Sequence, residues 1–199
     1  MRVLIRTAAD ITEHERRVCF DLWDRAFPQP PEQVRAPDFA ESSTLAVLID
    51  AGPMPVGGQC SSAVLVRDEV GTLVAACRLR DRTIVVDGEA VRVAGLASVA
   101  VVEDHRGQGL GTRLVQLATD TARVNGYAWS VLYCWPPTQA FYRRLGWQSL
   151  DGDVHVGPDG GTHALDRDGD AVMALPLTRA AEARLATWRT ARIVLPNYW

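Results

Sequence analysis

The sequence predicts one mixed α/β (α+β) domain over residues 1–199, with a mostly antiparallel sheet flanked by helices. Three observations carry that expectation. Apolar runs of strand length alternate with amphipathic stretches of helical period, in the order strand, helices, strands, helix, strand, helix, strands. Hydrophobic residues make up 47% and charged residues 23% of the chain, the balance of a globular protein able to bury a sizeable core. No internal repeat or low-complexity tract is present.

The elements follow in order. Residues 3–7 form a first strand. Thr12 supplies an N-cap hydroxyl and Glu15, three residues on, completes a capping box. That helix runs to about residue 27, where Pro28, Pro30 and Pro31 end it. A second helical stretch is expected at 32–42, a strand at 45–49 and a loop at 52–58. Residues 63–67 and 73–86 read as antiparallel strands turning at 68–71. In the second of these, Arg78, Arg80 and Arg82 alternate with less polar neighbours, as on a half-exposed face. Residues 91–102 are almost wholly apolar and read as a central strand buried on both faces. A helix follows to Val124, with Leu110, Leu114, Leu117, Thr121 and Val124 on one face and Asn125-Gly126 as its stop. Residues 129–134 are another buried strand, and 138–145 a short helix stopped by Gly146. Two further strands are expected at 148–156 and 172–177, separated by an Asp/Gly-rich loop. A last helix at 180–190 precedes an extended tail ending at Trp199.

Composition excludes several chemistries. All 21 basic residues are Arg, so neither a Schiff-base lysine nor a lysine-bearing phosphate loop is available. A net charge of −3 gives no basic face for nucleic acid. Cys19, Cys60, Cys77 and Cys134 have neither zinc-finger spacing nor a C-x-x-C pair, so buried free thiols and no metal are expected. No run approaches the roughly 18 apolar residues of a bilayer-crossing helix, and the N-terminus reads as a strand. No membrane association is expected, and the location expected is the cytoplasm.

The chemistry concentrates at residues 96–112. An apolar strand, a turn with alternate glycines Gly107, Gly109 and Gly111, and an amphipathic helix form a pyrophosphate cradle. The glycines can aim successive backbone N–H groups at one point, and the helix N-terminus adds its dipole. Arg106 brings a permanent charge and Thr112 a hydroxyl. A dinucleotide fingerprint would need glycine where Thr112 stands. A glycine-rich turn with no ligand is the bland alternative.

Leu96-Ala97-Ser98-Val99-Ala100-Val101 and Arg106-Gly107-Gln108-Gly109-Leu110-Gly111 together resemble the acyl-CoA motif of the GNAT superfamily of N-acetyltransferases. Ala140–Trp147, read A-F-Y-R-R-L-G-W, is similar to that superfamily's second signature block. The resemblance implies the GNAT fold with a splayed central strand pair. It also implies acetyl-CoA as co-substrate, held by Val99, Ala100, Val101, Arg106, Gly107, Gln108, Gly109, Gly111 and Thr112. Tyr142 would protonate the departing CoA thiolate; a reference pKa of about 10 suits it. A backbone amide near Val99 would meet the oxyanion. Ala97 stands where relatives carry a glutamate base, which leaves Ser98 to orient a water.

Asp168-Gly169-Asp170-Ala171-Val172-Met173-Ala174-Leu175-Pro176, Trp188-Arg189 and the terminal Trp199 resemble the aminoglycoside 2′-N-acetyltransferases. This implies a small-molecule amine acceptor touched by Asp38, Trp135, Asp168 and the Trp199 carboxylate, and a homodimer. Trp135 stands where many relatives have Asn, and Asn197 replaces an acidic residue of the resembled enzymes. Six Asp lie within 151–170, a surface able to attract a polycation or simply a solvated loop. Trp23, Trp135 and Trp147 are candidates for a sugar-stacking wall, or core. Kasugamycin-like antibiotics, another metabolite or a peptide amine remain alternative acceptors, and a non-catalytic acyl-CoA sensor remains an alternative function.

Overall fold

The computed structural model describes residues 2–7, 10–27, 62–67, 73–157, 163–164 and 169–196. The expectations at 32–42, 45–49, 52–58 and 68–71 lie outside the described residues. So do Cys60, Asp38, Asp168 and Trp199.

The elements are β1 (Arg2–Thr7), α1 (Glu13–Ala26), β2 (Ser62–Arg67), β3 (Leu73–Val86) and β4 (Glu89–Val101). A 3₁₀ turn (Glu103–His105) leads into α2 (Leu110–Val124), β5 (Trp129–Cys134) and α3 (Pro136–Arg144). Then come β6 (Gln148–Ser149), β7 (Val154–Val156), β8 (His163–Ala164), β9 (Ala171–Pro176), α4 (Arg179–Thr190) and β10 (Ile193–Leu195). Two compact units form, Met1–Arg80 with Ala97–Thr121, and Asp81–Leu96 with Ala122–Trp199. The long strands β3 and β4 contribute to both.

In the first unit β1 pairs antiparallel with β2 from Arg2↔Arg67 to Thr7↔Ser62, and β2 pairs antiparallel with β3. Helix α1 begins as its sequence requires. Thr12 Oγ1 accepts from the Glu15 amide at 3.2 Å, and Glu15 Oε2 accepts from the Thr12 amide at 3.0 Å. Arg6 Nη2 donates to Glu15 Oε1 at 3.1 Å. Burial pushes the Glu15 carboxyl up, but the Thr12 and Arg6 hydrogen bonds outweigh it and leave it below its ordinary value. A side-chain cap of this kind contributes about 1 kcal/mol. The helix buries Cys19, Leu22 and Trp23 against Leu4, Leu73, Ala76 and Ala100, which form this unit's core.

In the second unit the strands run β6-β9-β5-β4-β3-β10-β7-β8. Asp87 and Gly88, both at positive φ (48° and 87°), turn β3 into β4, as a two-residue hairpin loop demands. Strands β4 and β5 are parallel and pair only at Ala94↔Ser130 and Gly95↔Val131, the short ladder of a splayed central pair. Ser130 Oγ, fully buried, donates to the Ala94 carbonyl at 2.8 Å. Trp129 stacks on Trp188 of α4 with centroids 3.7 Å apart, inside a core built from Ile84, Val131, Ile193 and Leu195 among others.

Four details differ from the sequence reading. The buried residues of α2 are Leu110, Leu114, Val115, Ala118, Thr119 and Ala122, whereas Val124 is 78% exposed. Its contact face therefore follows four-residue steps through small alanines and not the larger side chains at 117 and 124. The strand expected at 148–156 is broken into β6 and β7. At Gly152 a Cβ would lie 2.1 Å from the Ala191 carbonyl oxygen, so the chain must bend there to let another backbone pass. The tail forms β10, which pairs with β3 and β7 and buries Ile193 and Leu195. Finally, α3 starts at Pro136, since prolines at the first helical positions lack the amides a helix leaves unpaired there.

Candidate functional site

Strand β4 ends at Val101, the 3₁₀ turn follows, and residues 106–109 lead into α2. Gly107 and Gly109 have φ of +76° and +78°, left-handed values that any residue with a Cβ adopts only at a cost. A Cβ on either would meet no protein atom within 4 Å, so the loop faces open space. Gly111 differs from its expected role, being the second residue of α2 and absent from the positive-φ set. It keeps the helix entrance free of a side chain.

The first turn of α2 carries no acidic residue, so its free amides and dipole are left for an external anion. Arg106 is exposed and its Nε donates to the Val101 carbonyl at 3.1 Å, which ties the guanidinium to the strand end. Gln108 Nε2 donates to the Asp104 carbonyl at 3.3 Å. Thr112 is half-buried in the first turn, and exposed Arg113 follows it. Arg113 was not singled out in the sequence; its signal is a second cation one residue past the hydroxyl. The chemistry of these residues suits a pyrophosphate: two left-handed glycines, a helix entrance without acid, and the exposed cations Arg106 and Arg113 in and just beyond the loop.

Along β4, Val99 and Val101 are half-buried, while Ala100 is buried in the first unit's core. Only the backbone of Ala100 is thus available to a cofactor. Ser98 departs from strand geometry. Its φ is +51°, which costs a residue other than glycine about 1–2 kcal/mol. Arg78 Nε and Nη2 donate to its Oγ at 3.0 and 2.6 Å. With those two bonds accepted, the Ser98 hydroxyl is a donor only; it can hold a water by its proton but cannot take one from it. The Arg78 guanidinium lies 4.4 Å over the Trp23 ring, and no ion pair joins it to a carboxylate among the described residues. Burial first, then Arg80, lowers its pKa to about 10. In the sequence Arg78 stands out only as one of three alternating arginines; the further signal is a cation directly after the buried run Leu73–Cys77.

In the second unit, Tyr142 of α3 is 9% exposed and packs edge-on against Phe141 (5.0 Å) and Trp147 (6.0 Å). Trp135, the N-cap of α3, is 55% exposed. Trp23 and Trp147, at 5% and 1%, are core residues, so the suggested three-tryptophan wall does not form. The described aspartates of the acidic stretch are engaged internally. Asp151 pairs with Arg189 at 2.7 Å, Asp153 with His155 at 2.8 Å and Arg192 at 3.5 Å, and Asp170 accepts from the Tyr133 hydroxyl. Cys19, Cys77 and Cys134 are buried and outside any disulfide, and burial raises the Cys134 thiol. Among the described residues, no group of three or more His, Cys, Asp or Glu is placed to hold a metal, and no helix is long and apolar enough to cross a membrane.

A splayed strand pair and a glycine cradle at a helix entrance are the marks of an acyl-CoA-dependent transferase. Residues 7–150 match the Acetyltransferase (GNAT) domain, and the chain belongs to that family of N-acetyltransferases. Solved structures share its fold. Escherichia coli ElaA is 16% identical with a TM-score of 0.57, the match covering 86% of this chain and 97% of that one. An acyl-CoA N-acyltransferase from Pseudomonas aeruginosa is 18% identical with a TM-score of 0.57, covering 86% and 97%. The GNAT protein YhbS from Escherichia coli, solved in complex with CoA, is 20% identical with a TM-score of 0.52, covering 98% and 90%. No curated protein matches the chain in sequence.

Proposed function

We propose that the chain transfers the acetyl group of acetyl-CoA to a primary amine of a small molecule. The observation that carries this reading is the pair of left-handed glycines, Gly107 and Gly109, opening onto free space before an α2 entrance without acidic residues. In this reading Arg106, Gly107, Gln108, Gly109, Gly111 and Thr112 hold the pyrophosphate, and the backbone of Val99, Ala100 and Val101 aligns the pantetheine arm. A neutral amine attacks the thioester carbonyl, the oxyanion is met by an amide near Val99, and collapse expels the thiolate. Tyr142 gives that thiolate its proton. Ser98, a donor only, orients a water that accepts the proton lost by the amine.

For the acceptor, the proposal is an aminoglycoside-type 2′-amine, with a kasugamycin-like antibiotic as the nearest alternative. The support is the 168–176 sequence and Trp188-Arg189. Asp38, Asp168, exposed Trp135 and Trp199 would touch it. Internal pairing of Asp151, Asp153 and Asp170 leaves less charge for a polycation than their number suggests. A homodimer is proposed on the resemblance, and a cytoplasmic location on the cysteines buried outside any disulfide.

Thiol release from acetyl-CoA across an amine panel, run with Tyr142→Phe, tests the reading. The parent should release CoA with an amine, and the variant should lose about 10²–10⁴-fold in kcat at unchanged CoA affinity. Acetyl-CoA binding without thiol release for any amine means a sensor and overturns the catalytic reading. An unchanged rate with chemistry limiting removes Tyr142 from its role.

A further inference from the structure

The left-handed residue in the middle of β4 needs a cause. Serine has no intrinsic preference for φ of +51°, and a strand supplies none. The left-handed residue falls where burial changes: Val93–Ala97 are buried without interruption, and at Ser98 and Val99 the strand becomes half-buried. The side chain of Ser98 is held at its Oγ by two N–H groups of one guanidinium, at 3.0 and 2.6 Å. That guanidinium is itself fixed. Its plane rests on Trp23 at 4.4 Å, and Trp23 is 5% exposed within the α1 core. A two-pronged donor on an aromatic plane has little freedom to follow a moving partner, so the partner must come to it.

We propose that Arg78 is a positioning residue for acetyl transfer: clamped on Trp23, it holds Ser98 in its left-handed conformation and so sets the direction of the Val99 backbone. This rests on the acetyltransferase reading, in which that backbone lies along the acyl-thioester. The lowered pKa of Arg78 fits a cation kept where no carboxylate among the described residues neutralises it. Among the described residues, the Ser98 hydroxyl is the polar partner of that guanidinium. Lysine could not replace it, since an ammonium lacks the planar pair of N–H groups.

The test compares Arg78→Gln, Arg78→Lys, Ser98→Ala and Ser98→Gly. Arg78→Gln and Ser98→Ala remove opposite halves of the clamp and should lower kcat about ten-fold each, with acetyl-CoA KM and CoA affinity nearly unchanged. Arg78→Lys should behave like Arg78→Gln. Ser98→Gly should retain more kcat than Ser98→Ala, because glycine reaches positive φ without a clamp. A second readout needs no activity: the amide–Hα coupling of residue 98 by NMR in the free protein reports its φ. In Arg78→Gln it should move to the extended-strand value. A coupling that stays at the parent's value overturns the proposal, as do parent-like kcat or a parallel fall of kcat and CoA affinity. If the parent binds CoA yet acetylates no amine, the functional reading fails while the coupling still judges the clamp.

Discussion

Two stretches of this chain pair glycine with charge, and they use it in opposite ways. At 106–112 Gly107 and Gly109 are left-handed and face open space, the helix entrance holds no acid, and exposed Arg106 is tied to the strand end through its Nε. At 151–157 and 169–170 Gly152 and Gly169 are walled in. Gly152 abuts the Ala191 carbonyl, Gly169 at φ +84° abuts Pro136, and Asp151, Asp153 and Asp170 all have internal partners. The first stretch has unsatisfied hydrogen-bonding and electrostatic capacity; the second has consumed its own. Glycine content alone does not separate them, because glycine serves tight turns and close ligand approach alike.

The largest effect separating the two is expected at Gly109. Valine there must hold a left-handed conformation that β-branched residues rarely adopt, and its side chain would fill the space open to the phosphates. Strain of about 1–2 kcal/mol alone would weaken acetyl-CoA about ten-fold, and occlusion should carry the loss to no measurable binding by calorimetry. Parent-like affinity would show that 106–112 is a bare turn, and the comparison would collapse.

Gly152→Ala should act on stability instead. Its Cβ would meet backbone at 2.1 Å, and backbone cannot rotate away as a flexible side chain can. Overpacking of this kind costs typically 1–3 kcal/mol, which corresponds to about 2–4 °C in Tm for each kcal/mol at this length. CoA affinity of the folded fraction should not change. A thermal melt matching the parent's would mean that 151–153 yields easily and is less rigid than its contacts suggest.

The same contrast explains which parts were legible in the sequence. The capping box at Thr12 and Glu15, the stops at Gly126 and Gly146, and strand β5 depend on a few neighbouring residues and were read correctly. The left-handed turn at Gly107 and Gly109 is legible for the same reason, whereas Gly111 is helical. Features fixed by distant partners were not. The face of α2 depends on what packs against Ala118 and Ala122, and β10 on strands more than thirty residues upstream. The break at Gly152 depends on Ala191. Arg78, Ser98 and Trp23 come from three elements, so no local pattern announces their contact.

The smallest expected effect is the sharpest on function. Asp151 and Arg189 form a close pair at 2.7 Å, but the two side chains are 54% and 47% exposed. Water screens such a pair, so Asp151→Asn should cost only about 0.2–1 kcal/mol. If the aspartate serves the fold, KM for a polycationic aminoglycoside should be unaltered, and its salt dependence should match the parent's. If instead the acidic stretch draws in the acceptor, losing one charge would raise KM, and the rise would shrink as salt screens the remaining field. Steady-state kinetics at two ionic strengths therefore decide whether the second stretch is internal mortar. The pairing of Asp151, Asp153 and Asp170 favours an unchanged KM, which would move the search for acceptor contacts to Asp38, Trp135 and Trp199.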